Sequence, residues 1–157
     1  MARLNEVLEK LRQILPADTL SFRDPSRTGT SCCARVGLDR VREVASIFAR
    51  GGFFLESLTG LDFQDSKELV YHFNTYEPGA RVAVRVLCPH GEAAPTLSDL
   101  FRSASWQERE VWEFFGIPFA GHPDLRPLLL PEDADFHPLT KTFGVVNAYR
   151  KREEIYG

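Results

Sequence analysis

Glu68-Leu69-Val70-Tyr71-His72-Phe73-Asn74-Thr75-Tyr76, then Pro78-Gly79, then Arg81-Val82-Ala83-Val84-Arg85-Val86-Leu87 is the stretch that sets the architecture. The first run is β-branched and aromatic, and Pro-Gly is a turn signal. In the second run Val82, Val84 and Val86 alternate with Arg81, Ala83 and Arg85, a period of two that gives a strand one buried and one wetter face. A short turn between two such runs predicts an antiparallel hairpin.

Working outward, Leu4, Val7, Leu8, Leu11, Ile14 and Leu15 recur at helical spacing, and Pro16 stops the pattern. Ser21 to Gly29 is polar with Pro25 inside it, a loop or weak edge strand, and Ser31 to Val36 reads as a short strand. Val41, Val44, Ala45 and Phe48 form the stripe of a second helix, with Asp39 before it and Gly51-Gly52 after it. Phe53 to Thr59 reads as a strand. Ser105 to Phe115 is a third helix. Ser105 and Glu108 have the spacing of a capping box, and Gly116 stands where a left-handed cap belongs. Helix, strand, helix, three strands and helix make an α+β domain. Its sheet is expected to be antiparallel or mixed, with the helices on one face.

Beyond Gly116 the composition changes. Pro118, Pro123, Pro127, Pro131 and Pro138 are half of the chain's 10 prolines. They break helices and cannot donate to a sheet ladder. Yet the same stretch holds Phe119, Leu125, Leu128-Leu129-Leu130, Phe136, Leu139, Phe143, Val145 and Val146. Ordering about 40 residues costs on the order of 40 kcal/mol of backbone entropy. At about 25 cal/mol per Å² this needs roughly 1,600 Å² of apolar burial. A small domain offers little such surface. The expected organisation is therefore a compact unit over 1–116 and an extended, partner-binding arm over 117–157. Deleting the arm should then abolish assembly and leave the compact unit folded.

The 157 residues suffice for one core, and a net charge of −3 lacks the basic field of a nucleic-acid binder. No window supplies the roughly 20 apolar residues that span a bilayer, and the start lacks the plan of a signal peptide. A cytosolic location is the default expectation. The cysteines are three, Cys32, Cys33 and Cys88, without a Cys-x-x-Cys pair. That argues against a disulfide framework and against a self-contained zinc or iron–sulfur site.

Several constellations invite a chemical reading. Glu108, Arg109, Glu110 and Glu113 resemble a paired-carboxylate set, but no His or nucleophile is near in sequence. The plainer reading is a solvated or partner-facing helix start; a structural role is preferred, with Arg109 offering a planar fork for a bidentate carboxylate contact within the chain or across an interface. His122 and His137, with Asp124 or Asp133, could ligate a divalent ion or serve a stand-alone metal-dependent hydrolase. They lack fixed zinc spacing, and histidines bonded to backbone groups of a partner are the favoured reading. Cys88-Pro89-His90 has no third, orienting group. Adjacent Cys32 and Cys33 point to opposite faces of a strand. Trp112, Phe114 and Phe115 could line a ligand channel, but aromatics at helical spacing are more often core. Arg150-Lys151-Arg152 is followed at once by Glu153-Glu154, as in a solvated tail helix.

Glu108-Arg109-Glu110-Val111-Trp112-Glu113-Phe114-Phe115-Gly116-Ile117 resembles the signature of the C-type, or thirty-kilodalton, subunit family of NADH-quinone oxidoreductase. The resemblance continues through Phe119, Gly121-His122-Pro123-Asp124-Leu125-Arg126 and Leu128-Leu129-Leu130-Pro131-Glu132-Asp133. It reaches His137-Pro138-Leu139 and Lys141, and upstream includes Leu58-Thr59-Gly60-Leu61-Asp62. It implies a non-catalytic peripheral-arm subunit of a complex I-like assembly, with no cofactor of its own. Iron–sulfur clusters and quinone would reside in partners. It would pack beside the D-type, quinone-site subunit and the B-type, iron–sulfur subunit, near the I-type iron–sulfur subunit. Its place would be the cytoplasmic side of the membrane, which it touches only through the complex. Related subunits occur in membrane-bound hydrogenases and formate hydrogenlyases, whose large subunit carries a nickel–iron centre. Pro127, Thr140 and Thr142 depart from the common pattern, and the chain ends soon after, at Gly157. These departures favour a compact hydrogenase-type or otherwise divergent assembly somewhat more than the family as a whole would.

Overall fold

A computed structural model describes residues 2–77 and 79–144. Val145, Val146 and the Arg150-Lys151-Arg152 cluster lie outside the described residues. The elements are α1 (Ala2–Ile14), β1 (Leu20–Phe22), a single helical turn α2 (Pro25–Thr28), β2 (Cys32–Val36), α3 (Val41–Arg50) and β3 (Phe54–Asp62). They continue with β4 (Lys67–Asn74), β5 (Val82–Cys88), β6 (Ala94–Pro95), α4 (Ala104–Phe115) and β7 (Phe119–Ala120).

The strands β1-β2-β5-β4-β3 form one mixed sheet, in that order. β4 and β5 are the expected antiparallel pair, with Tyr71 opposite Val84 and Phe73 opposite Val82. Their connection, 75–81, is longer than a tight turn. It is gathered by the Asn74 side chain, whose Oδ1 accepts from the N–H groups of Thr75 and Ala80. In this sheet the parallel pair is β2 with β5. A second, two-stranded sheet joins β6 to β7.

The alternation read in the sequence becomes the core. Leu69, Tyr71, Phe73, Val82, Val84 and Val86 face the helices and are buried. Phe48 of α3 stacks on Phe73 with ring centroids 4.4 Å apart, and Phe101 leans on the same ring. The α1 stripe, Leu4, Val7, Leu8 and Leu11, is buried as its spacing requires. α4 crosses the β3 end of the same face. Gly60 of β3 lies beneath it: a Cβ there would come within 2.6 Å of the Phe115 ring, so only glycine leaves room for that ring.

Two expectations need correction. Ser105 is not a capping residue. α4 begins after Ser103 without a side-chain cap, and Glu108 turns inward instead of back to the helix start. Ile117 and Phe119, placed beyond the expected boundary at Gly116, are buried members of the core. Removing everything after Gly116 would therefore open the domain itself.

Candidate functional site

The residues of the signature come together as a polar latch between α4 and the segment 117–141. Gly116 closes α4 in the left-handed region (φ 65°), and its N–H donates to the Trp112 carbonyl. A Cβ on Gly116 would sit 2.6 Å from the His137 ring, so close approach as well as conformation requires glycine. From there the chain doubles back along the helix.

Three charged side chains of α4 face inward. Glu108 is fully buried. Its Oε1 accepts from the Leu97 N–H at 2.7 Å and its Oε2 from the Thr96 hydroxyl at 2.5 Å. Arg109 is 7% exposed. Its Nε and Nη2 donate to the carbonyls of Arg126 (2.9 Å) and Pro127 (2.7 Å). The Trp106 ring lies 5.3 Å from its guanidinium carbon, and Asp124 comes within 3.7 Å. Glu113 is 2% exposed. It gathers three successive backbone N–H groups: Leu128 at 2.5 Å, Leu129 at 2.9 Å and, more weakly, Leu130 at 3.4 Å. This helix face is thus put to structural use within the chain and does not face solvent or a partner. Of the four charges only Glu110 is exposed, and the Arg109 fork meets carbonyls instead of a carboxylate.

The histidines complete the latch from the other side of the return. The His122 side chain is enclosed. Its Nδ1 accepts from the Asp124 N–H at 3.0 Å, so the ring proton sits on Nε2, where the Ser105 carbonyl takes it at 3.0 Å. His137 donates from Nδ1 to the Glu113 carbonyl at 2.9 Å and meets Trp112 edge-on. Leu139 N–H donates to the Phe114 carbonyl, Lys67 Nζ to the Phe115 carbonyl, and Lys141 N–H to Asp62 Oδ2. The free carbonyls at the end of α4, which any helix leaves, are met in this way. Backbone contacts are therefore the rule for both histidines, and here the backbone is the chain's own.

Other signature residues are spacers or surface. Phe119 is core, Leu125 packs against the core, and Gly121, Pro123, Asp124, Arg126, Pro131, Glu132 and Asp133 are exposed, with Pro138 half-buried. Leu129 (67% exposed), Leu139, Phe136 and Phe143 turn their side chains outward, the last two stacked at 5.3 Å. Thr96, Leu97 and Lys67 belong to the latch and were not visible in the sequence, because a threonine hydroxyl, a backbone N–H and a lone lysine carry no motif.

Among the described residues, no three of His, Cys, Asp and Glu are grouped so as to hold a metal ion. His122 and His137 each use a ring nitrogen on a backbone group, which accounts for them without a ligand. Cys32, Cys33 and Cys88 are buried and free, and burial pushes the Cys32 thiol up to about 11, away from thiolate chemistry. No helix among the described residues is long and apolar enough to cross a membrane.

Burial also pushes the Glu108 carboxyl above its ordinary range, against the opposing pull of the Thr96 and Leu97 donors and of nearby His122. A carboxyl raised on folding binds its proton more tightly in the folded state, so stability falls as pH rises from the unfolded value, about 4.3, through the folded one. Glu108→Gln should remove this dependence. Urea midpoints of wild type and variant, compared at pH 4, 6 and 7.5, should shift in the variant's favour with rising pH. A constant difference would contradict the assignment.

Comparison with known proteins gives a consistent picture. The family model described as the 30 kDa subunit of respiratory-chain NADH dehydrogenase matches residues 34–149. The C-type subunit of NADH-quinone oxidoreductase from Roseiflexus sp. is 36% identical over 144 residues, covering 86% of this chain and 80% of the relative. The C/D-type NADH-quinone oxidoreductase subunit of Bacteroides fragilis is 38% identical over 101 residues, 56% of this chain but 19% of that much longer relative. Among solved structures, the trypsin-resistant fragment 1–134 of Nqo5 superposes with a TM-score of 0.65 at 32% identity, over 78% of this chain and 99% of the fragment. A chain of the archaeal membrane-bound sulfane sulfur reductase, a respiratory membrane complex, gives 0.74 at 25% identity, over 91% and 84%. On the extent of the family match and on these identities, the chain belongs to the family of the 30 kDa, or C-type, subunit of respiratory-chain NADH dehydrogenase.

Proposed function

We propose that the chain is a non-catalytic, positional subunit of a complex I-like NADH-quinone oxidoreductase, peripheral on the cytoplasmic side of the membrane. Its task is to hold the D-type, quinone-site subunit and the B-type, iron–sulfur subunit at a fixed separation, beside the I-type iron–sulfur subunit. The iron–sulfur clusters and quinone belong to those partners. The carrying observation is the division of labour within segment 117–144. Its backbone is latched to α4 by buried polar groups, while Leu129, Phe136, Leu139 and Phe143 project outward. A rigid backbone that displays apolar side chains suits docking, because little entropy remains to be lost on binding. The C/D-type relative supports the D-type subunit as the partner: joining two modules in one polypeptide raises their effective concentration and is useful where the two act together.

The related sulfane sulfur reductase favours a second reading, in which the same scaffold serves a respiratory membrane complex of another chemistry. An energy-converting nickel–iron hydrogenase or formate hydrogenlyase belongs to that reading. The metals and the substrate oxidised by the purified native complex distinguish the two.

The test is Leu129→Asp with Leu139→Asp. Both side chains are exposed, so the isolated chain should unfold within about 0.5 kcal/mol of wild type. Recovery of the chain with the native membrane complex should fall tenfold or more, and NADH:quinone activity with it. Wild-type recovery and activity would overturn the proposal.

A further inference from the structure

We infer that the cleft beside the first turns of α4 is a second docking surface, shaped for a partner segment that presents a carboxylate next to an apolar side chain. This rests on the reading that the chain works within a multi-subunit assembly, but it concerns a surface separate from the outward-facing leucines. The cleft has a volume of about 860 Å³ and is walled by Arg42, Thr96, Asp99, Arg102, Trp106 and Pro123.

Trp106 is 60% exposed, yet it is not loose. One face of the indole is held by the Arg109 guanidinium, which is itself fixed by two carbonyls. A large aromatic that is held in place, largely exposed and lines the cleft binds at low entropic cost, and Trp with Arg is the pair enriched at interface hot spots. The charges of the cleft are unequal in their availability. Arg42 is occupied: its two terminal nitrogens meet both Asp99 oxygens, at 2.9 and 2.7 Å, and one also meets the Thr96 carbonyl. Arg102 is exposed and has no carboxylate partner among the described residues. A chain of net charge −3 thus presents one available guanidinium here, beside the exposed Trp106 indole. Complementarity points to an anionic residue. A free small anion would meet a single cation, whereas a polypeptide segment adds apolar contact over the Trp106 ring. The occupant is therefore a protein segment.

The experiment uses the native complex. Trp106→p-benzoylphenylalanine is installed, the purified complex is irradiated, and the cross-linked peptide is identified by mass spectrometry. The expected product is a peptide of another subunit with an Asp or Glu close to the linked residue. Arg102→Glu on the native Trp106 background should lower retention of the chain in the complex tenfold or more. Arg in place of that partner carboxylate should restore it. Cross-links confined to this chain, or none, or wild-type retention of Arg102→Glu would overturn the inference. If the variant at Trp106 fails to assemble, the Arg102→Glu measurement decides alone. Loss of this effect with the Leu129 and Leu139 effect intact refutes the cleft and leaves the subunit reading standing; loss of both refutes the subunit reading.

Discussion

Glu113→Gln is expected to cost about 2–3 kcal/mol and to free the segment after α4, while Glu108→Gln costs little. Both carboxyls are buried and differ from glutamine by one atom, so the contrast lies in their partners. Among the described residues, every hydrogen-bond partner of the Glu113 oxygens is a backbone N–H, which can only donate. The amide –NH₂ of a glutamine would point a donor at a donor. One leucine N–H would then lie unpaired beside it, at the full cost of a buried, unmatched group. At Glu108 one of the two partners is the Thr96 hydroxyl, which can turn and accept from the amide while the glutamine oxygen keeps the Leu97 N–H. Amide hydrogen exchange reads the difference directly. In wild type the N–H groups of Leu128 and Leu129 should be strongly protected. In Glu113→Gln their protection should drop by on the order of 30-fold to 150-fold, the equivalent of that free-energy loss. Unchanged protection would show that the latch does not depend on this carboxyl.

The helices and the hairpin were legible in the sequence because their cause is local. Leu4, Val7, Leu8 and Leu11 recur at the period of a helix, and Val82, Val84 and Val86 at that of a strand, and both sets are buried. The parallel pairing of Cys32–Val36 with Val82–Cys88 has no local cause: it joins residues far apart in the chain, and no short-range pattern encodes it. The latch was legible in its residues but not in its use. Glu108, Arg109 and Glu113 look like solvent-facing charges because their partners are the N–H and C=O groups of 97 and 126–130. Every residue has such groups, so they leave no mark in a sequence. The same blindness gives the segment after α4 too little footing, since apolar area omits buried charges aimed at backbone. Gly60 and Gly116 were visible as glycines, but the Phe115 and His137 rings that require them were not.

Arg109→Ala should cost about 3 kcal/mol, and Arg109→Lys roughly half of that, with the lysine variant separating charge from shape. The guanidinium does three things at once. It donates to the Arg126 and Pro127 carbonyls, it keeps Trp106 in position, and it stands 3.7 Å from Asp124. Hydrogen bonds from a charged donor are worth about 1.5–3 kcal/mol each when the acceptor is left dry without them. Lysine retains the charge, but its ammonium is a compact point and cannot serve two carbonyls with the planar fork that arginine supplies. If charge near Asp124 were the main contribution, lysine would restore nearly all of a small loss, since Asp124 is half exposed and its attraction is screened by solvent. If the fork matters, lysine restores part of the stability and little of the positioning. Urea unfolding gives the first quantity. Proteolysis of the folded chain gives the second: thermolysin cleavage between Leu128 and Leu129 should be slow in wild type, faster in Arg109→Lys and fastest in Arg109→Ala. A lysine variant as stable and as resistant as wild type would reduce Arg109 to a surface charge and remove the fork from the latch.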